Sequence, residues 1–503
     1  MRALVCGIVA AASLAVLGPV SMGQAPASPA TQQVVIVVDG LRPDDVTPEA
    51  MPRLAALGWR GIVFNAHHSV FPTVTRVNAS SMVTGVYPEG HGLLGNTIFM
   101  PAVNPTRGLD TGSKDVLESV ARATGRLLTA PTLGELMQQA GKRLFTVGSG
   151  SSGAVFLLDS TGVGVAAHQD FSRPPSIGSK LTVALGSPPA HATPNAALNK
   201  RAVDAYLTLG LDEIHPDVTF MWISDPDTTA HAKGMGAAET RQALGLVDAE
   251  IGRIEDTLRT RALLDRTNLM VVSDHGFSTH TGELKLEALV EPFARKLPDG
   301  TPDIVVAEGA IYFRGAADAA RVAALVAALQ KRPEVGAIFT RPAGRGAEGV
   351  VPGTLSFDVV RWNHERAGEI LVAANWSDRA NAAGRRGTST QTGVAGHGTS
   401  SPFDVHATLI AAGPDFKEKT ASEVPTGNLD LAPTLLRLLG LPVPASMTGR
   451  VIEEGLRKGP PAALGVVHET DTASTPDGAY RVSAHTSSAA GHRYFDFAET
   501  SRR

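Results

Sequence analysis

The clearest pattern along the chain is a series of short apolar runs, rich in β-branched residues, that stop abruptly at polar ones. Val34–Val38 (VVIVV) is the first and stops at Asp39-Gly40. Leu144–Val147 (LFTV), Val218–Ile223 (VTFMWI), Leu269–Val272 (LMVV) and Ala407–Ala412 (ATLIAA) are similar. Apolar runs without alternation predict strands buried on both faces, as in a parallel sheet. Between them lie helical stretches such as Leu133–Ala140 (LGELMQQA) and Ala237–Leu258, the latter rich in Ala, Leu, Glu and Arg. Strands alternating with helices predict an α/β fold, a mainly parallel central sheet flanked by helices.

From Gly276 to about Gly393 the rhythm changes. A strand is expected at Ala310–Phe313 (AIYF), a helix over Ala316–Leu329 and a second strand at Gly336–Phe339 (GAIF). This reads as a small α+β insertion carried on the main core. Ser377–Gly396, rich in Ala, Gly, Arg and Thr, reads as a loop. From about Arg457 the chain is polar, with short strands expected at Tyr480–Val482 and His492–Phe497. The expected division is a core of residues 26–276 and 394–456, an insertion at 277–393 and a C-terminal extension at 457–503. With 503 residues and a prior of roughly 150 per domain, such a large core with an insertion is reasonable. No internal repeat is visible.

The N-terminus changes the picture of where the protein works. Arg2 is followed by an apolar stretch, Ala3 to Val20, and by small residues from Ser21 to Ala25. Residues 1–25 therefore read as a secretory signal peptide, cleaved near Ala25, and the expected location is periplasmic or secreted. The competing reading is an uncleaved anchor, because the run is just long enough to span a bilayer. After cleavage no membrane span is expected. Cys6 is the single cysteine, so the mature chain would have no disulfide and no thiolate ligand. Any metal must be held by His, Asp and Glu. Hydrophobic residues at 43% against 19% charged exclude disorder as the main state. A net charge of −4 argues against a nucleic-acid-coating surface. It leaves room for a small phosphorylated substrate at a local site; oligomeric state is unreadable.

Three predicted strands deliver aspartate at their ends. VVIVV leads to Asp39, VTFMWIS to Asp225 and Asp227, and LMVVS to Asp274 with His275 beside it. Ligands of open α/β sheets bind beyond the carboxyl ends of the strands. Asp227 and His231 are four apart, a spacing that turns both side chains the same way on a helical turn. Gly276 is expected to turn the backbone sharply after His275, and Gly396-His397-Gly398 sets another histidine in a close-approach loop. Asp and His without Cys suit Zn²⁺, Mn²⁺ or iron. Thr75 precedes a helical pattern from Arg76 to Thr84 that Gly85 closes. There its hydroxyl is either an ordinary N-cap or a nucleophile beside free N–H groups and the positive end of the helix dipole.

These segments together resemble the alkaline phosphatase superfamily, and within it the type I phosphodiesterase/nucleotide pyrophosphatase family. The resemblance rests on VVIVVDGLRPD, FPTVTRVNASSMVTGVYPEGHGLLGN, DPDTTAH, VVSDHG and GHG followed by SPFDVHATLIAAGP. It implies an alkaline-phosphatase-like core and two Zn²⁺ ions, one held by Asp227, His231 and His397, the other by Asp39, Thr75, Asp274 and His275. It implies Thr75 as the nucleophile, a phospho-threonine intermediate, and an Asn96 amide that donates to a phosphoryl oxygen. The expected activity is hydrolysis of phosphodiester or nucleotide pyrophosphate bonds. Metal coordination would activate a hydroxyl that is a weak nucleophile at its own pKa.

Two departures bear on substrate. The family's nucleotide pyrophosphatases usually follow the nucleophile with an aromatic residue, where this chain has Arg76, which could clamp a carboxylate or second phosphate. Related phosphomonoesterases carry a Lys-x-Arg pair that is absent between Val147 and Pro174. A diester is therefore the first reading. Phosphomonoester or phosphonoacetate-type hydrolysis in the same site is the alternative, and a non-catalytic, metal-stabilised binding protein the remote one. Of the other polar residues, His91 is expected to pack and hydrogen-bond, His280 to be a loop histidine and His406 a satisfied core histidine. His67 and His68 point opposite ways on an extended segment. Asp225 competes with Asp227 as a ligand, and Arg385-Arg386 reads as solvated loop.

Overall fold

A computed structural model describes residues 31–460 and 464–503. The expected signal peptide, residues 1–25 with Cys6, lies outside the described residues. Nine strands form the main sheet: β1 (Gln32–Val38), β2 (Ile62–Phe64), β3 (Leu144–Gly148), β4 (Val165–His168), β5 (Ser172–Arg173), β6 (Val218–Ile223), β7 (Thr267–Val272), β8 (Leu409–Ala412) and β9 (Thr420–Ser422). Their order is β9-β2-β8-β7-β1-β6-β3-β4-β5. The central block β7-β1-β6-β3-β4 is wholly parallel. β1 lies in the middle of it, with Val34 opposite Leu269 on one side and Thr219 on the other.

Successive residues of β1 serve two cores, which explains its unbroken apolar run. Val35 and Val37 pack with Phe220, Trp222, Met270 and Val272 and with Ala79, Met82 and Val83 of the Thr75–Thr84 helix. Val34, Ile36 and Val38 pack on the opposite face with Leu244, Val247 and Ile251 of the Ala238–Thr260 helix. Each such side chain, fully buried, contributes about 1.5–3 kcal/mol relative to exposure. The apolar run around Ala407–Ala412 corrects the sequence reading in one respect. Its strand, β8, runs antiparallel to both β7 and β2. An apolar run records burial on two faces, and burial carries no information about direction.

The region after Gly276 holds a five-stranded sheet of Ile304–Ala307, Ala310–Phe313, Ile370–Ala374, Val335–Thr340 and Leu355–Ser356, in that order. The Ala319–Gln330 helix covers one face through Val322, Leu325, Val326 and Leu329. It starts three residues later than expected because Asp318 caps it, accepting from the N–H groups of Ala320 and Arg321. The other face shares a core with Phe71, Leu94 and Phe99 and with Tyr480, Val482 and Phe495 of the C-terminal segment.

Ser377–Gly396 is not a loop. It supplies three strands, Trp376–Ala380, Arg386–Ser389 and Ala395–Gly396, of a four-stranded sheet completed by Ser278–His280. These strands are short, and much of the first is exposed, so no apolar pattern announces them. Arg385 also departs from a solvated loop: it pairs with Asp45 at 2.6 Å and Asp44 at 3.2 Å. The C-terminal strands are longer than expected and form a three-stranded antiparallel ribbon of Val467–Ser474, Tyr480–Ala489 and His492–Arg502. Among the described residues no helix is long and apolar enough to cross a membrane.

Candidate active site

The parallel block converges its strand ends on one cluster. Asp39 follows β1, Asp227 opens the Asp227–Lys233 helix just after β6, and Asp274 and His275 follow β7. His231 lies one turn along the same helix, and its Nε2 is 3.2 Å from Asp227 Oδ2. His397 brings its Nε2 to 3.5 Å from the same oxygen. His275 Nε2 lies 3.1 Å from Asp274 Oδ2 and 3.5 Å from Asp39 Oδ1. The His275 and His397 rings stack at 3.5 Å between centroids. All seven residues expected to hold metal thus come together in space, Thr75 included, since its Oγ1 lies 3.3 Å from His275 Nε2.

The histidines are oriented from behind. His231 Nδ1 bonds the carbonyl of Ala395 at 2.9 Å, His275 Nδ1 that of Gly276 at 2.9 Å and His397 Nδ1 that of Thr73 at 2.9 Å. A carbonyl only accepts, so each Nδ1 carries a proton and each Nε2 faces the cluster. The carboxylates face it with oxygens that meet the histidine Nε2 atoms at 3.1–3.5 Å. Asp39 Oδ1, Asp227 Oδ2 and Asp274 Oδ2 are buried without a hydrogen-bond partner. Trp222 Nε1 donates to Asp39 Oδ2 at 2.9 Å and the Gly40 N–H to Asp274 Oδ1 at 3.1 Å.

The electrostatics describe the same crowding. Burial, then the Asp227 and Asp274 charges, push the Asp39 carboxyl well up. Burial also opposes ionisation of Asp227, but His231 and His397 hold it below the usual carboxylate range. His275 is raised against its burial by Asp274. His397 is held well down, by burial and then by His275. Buried acids that converge with histidine Nε2 atoms form a donor set that fits cations of intermediate hardness. Two overlapping triads have ligand atoms within 4.8 Å of one another: Asp227, His275 and His397, and Asp39, Asp274 and His275.

Thr75 is the first residue of its helix; Val74 occupies the cap position and makes no side-chain cap. The hydroxyl is therefore not an N-cap and faces the cluster instead. Asn96 lies beside it, its Oδ1 accepting the Arg76 N–H at 3.0 Å. The Arg76 side chain reaches Asp110 at 3.5 Å, and its Nε is buried without a partner. A polar cavity of about 540 Å³ opens here, lined by Arg76, Asp110, Ser151, Asp170 and Asn195 among others. A larger cavity of about 850 Å³, beside Trp59, shares no lining residue with the cluster, so size does not locate the chemistry.

The remaining candidates fall into place around this cluster. Asp225 is fully used, taking the Asn195 N–H at 2.8 Å, the Asn199 amide at 3.0 Å and both donors of Thr229. His91 is buried between the Ser81 hydroxyl and the Leu93 N–H. His67 bonds the Thr426 hydroxyl and Asn428, while His68 bonds the Thr426 carbonyl and Asp496. His280 bonds the Thr392 carbonyl at 2.7 Å. His406 is corrected: it is exposed and lies edge-on to the His68 ring, because it precedes β8 rather than entering the core. Gly276 is needed for space, not for a turn, since a Cβ there would meet the Phe403 carbonyl oxygen at 2.0 Å. Sequence reasoning missed Trp222, Thr73 and Glu308. The first two stand inside quoted motifs, while Glu308 left no signal.

An α/β core with carboxylates and histidines gathered at its parallel strand ends defines a protein of the alkaline phosphatase superfamily. The model of the family Type I phosphodiesterase / nucleotide pyrophosphatase matches residues 33–399, and the chain belongs to that family. Among curated relatives, it is 27% identical over 265 residues to human ectonucleotide pyrophosphatase/phosphodiesterase family member 1, covering 50% of this chain and 25% of that protein. It is 26% identical over 249 residues to a venom phosphodiesterase of Macrovipera lebetinus, covering 48% and 25%. The chain thus aligns with about a quarter of the length of these relatives. Among solved structures, an inactive variant of murine ectonucleotide pyrophosphatase/phosphodiesterase 5 in complex with AMP superposes with TM-score 0.57 at 19% identity, covering 82% of this chain and 96% of that one. A variant of the alkaline phosphatase PafA gives TM-score 0.62 at 15% identity, covering 86% and 99%. Both likenesses concern the fold.

Proposed function

We propose that the protein is a two-zinc hydrolase of phosphodiester bonds that acts through Thr75. The observation that carries this reading is the set of three buried carboxylate oxygens, on Asp39, Asp227 and Asp274, unpartnered beside the Thr75 hydroxyl. Asp227, His231 and His397 would hold one ion, and Asp39, Thr75, Asp274 and His275 the other. When bound, the ions neutralise the three acids and supply Lewis-acid activation of hydroxyl and phosphoryl oxygens. Thr75 Oγ attacks phosphorus, the bond to the leaving alcohol breaks, and water then cleaves the phospho-threonine ester. Asn96 donates its amide to a phosphoryl oxygen, and the N-terminus of the Thr75–Thr84 helix favours the negative charge there.

The first substituent of the substrate would sit in the cavity beside Thr75. Arg76 would meet it in place of an aromatic residue. The Ser149–Ser152 stretch of the wall supplies hydroxyls but no cation, which supports a diester over a monoester. We assign the chemistry to segments 26–276 and 394–456, and specificity to residues 277–393. A periplasmic or secreted location accords with the sequence of residues 1–25.

The test is a rate comparison on zinc-loaded protein with a chelator control. Bis-p-nitrophenyl phosphate is expected to be cleaved faster than p-nitrophenyl phosphate or phosphonoacetate, with chelator-sensitive turnover. Faster monoester or phosphonate cleavage would replace the diesterase reading, and chelator-resistant turnover would remove the metal from it.

A further inference from the structure

We infer that Glu308, at the tip of a hairpin in the 277–393 region, is a positioning residue that clamps Asn96 for catalysis. The inference rests on the role proposed above for Asn96. Glu308 and Gly309 form the two-residue loop between the strands Ile304–Ala307 and Ala310–Phe313, whose last ladder pair is Ala307 with Ala310. Glu308 has φ +59°. Two-residue hairpin loops favour glycine or asparagine where φ is positive. A glutamate there is strained without local benefit, so its side chain is the reason to look further.

The carboxylate leaves its own sheet. Glu308 Oε2 accepts the Asn96 N–H at 2.7 Å and the Thr97 N–H at 3.3 Å. The approach is close enough to need Gly95, where a Cβ would lie 2.8 Å from Oε2. The groups facing the carboxylate are Arg76, which favours its charge, and Asp110, which opposes it.

The bonds around Asn96 then form a complete clamp. Its N–H goes to Glu308, its carbonyl takes the Thr111 N–H at 2.9 Å and the Thr111 hydroxyl at 2.6 Å, and its side-chain oxygen takes the Arg76 N–H. Among the described residues, the amide NH₂ is the polar group of Asn96 left without a hydrogen bond. A donor fixed at every other atom is pre-organised for an oxygen that develops charge. Of the three residues that bond Asn96, Arg76 and Thr111 come from the 75–111 stretch, and Glu308 comes from a hairpin 212 residues away in sequence. The 277–393 region thereby contributes to rate as well as to substrate choice.

The experiment is a double-mutant cycle on the full, zinc-loaded chain with bis-p-nitrophenyl phosphate. Glu308→Gly removes the carboxylate and relieves the positive φ. It is expected to lower kcat about tenfold through loosened positioning, with KM changed less than twofold, and Glu308→Gln, which keeps one acceptor, to recover part of the loss. In the Asn96→Ala background the effect of Glu308→Gly should vanish. An equal loss in both backgrounds, or a loss carried by KM, would overturn the inference while leaving Asn96 its role. Unchanged kcat in Asn96→Ala alone would remove both that role and the inference, whatever Glu308→Gly does.

Discussion

Each histidine of the cluster gives its Nδ1 proton to a backbone carbonyl, so its reactive nitrogen is chosen before any ligand arrives. Thr75 gains in the same way from what its neighbours do. Val74 takes the cap position, and the hydroxyl, freed from capping, sits 3.3 Å from His275 Nε2. Thr75→Ala removes the hydroxyl and the γ-methyl but no backbone bond. It should keep the folded far-UV spectrum and lower kcat on bis-p-nitrophenyl phosphate by on the order of 10³-fold or more. Near-wild-type turnover would end the nucleophile assignment. At this scale the sequence was informative. Asp39, Asp274 and His275 could be read because each follows directly on a buried strand, and Asp227 and His231 because of their four-residue spacing. Glu308 could not, since it acts on Asn96 from 212 positions away and its own loop gives no reason for a carboxylate.

Elements were legible where their packing is regular. The run Val218–Ile223 coincides with a strand because every residue in it is buried. β8 was legible as a strand but not in its direction. The strands within Ser377–Gly396 were illegible, since they hold together by pairing across the chain rather than by an apolar face. The joint between that sheet and the cluster is Asp404. It accepts from the Ser278 hydroxyl and from both the N–H and hydroxyl of Thr399, at 3.0 and 2.6 Å, two residues past His397. Asp404→Ala would leave these donors buried and unpaired, at a cost of about 2–4 kcal/mol. Urea unfolding should show it as a lower midpoint; an unchanged midpoint would mean water replaces the carboxylate.

Across the whole molecule, stability should depend on acid in a way set by buried histidines. Burial holds His67 and His91 down to about 3. In the unfolded chain each titrates near ~6.5, so the unfolded state binds more protons as pH falls. Their contribution is therefore complete above that pH and is lost towards about 3. The loss is about 1.4 kcal/mol per pH unit for each histidine. His91→Gln should make the acid slope of the unfolding free energy shallower by about that amount, while an identical slope would mean His91 is protonated in the fold. A metal held at the cluster would offset the repulsion among its three buried acids, and its removal would restore that repulsion. A chelator should lower Tm by on the order of 5 °C, by loss of a ligand that binds the folded state. An unchanged Tm would argue that the cluster holds no ion under those conditions.

The C-terminal ribbon gives this molecule a schedule. Ser400, three residues past His397, exchanges two hydrogen bonds with Ala498: it accepts the Ala498 N–H at 2.9 Å, and its hydroxyl donates to the Ala498 carbonyl at 3.0 Å. A growing chain makes His397 long before it makes the strand on which that loop leans. Until the ribbon docks, the loop lacks these two bonds and leans on Thr73 and Asp404. The loop can therefore take its full set of bonds only after residue 498 has been made.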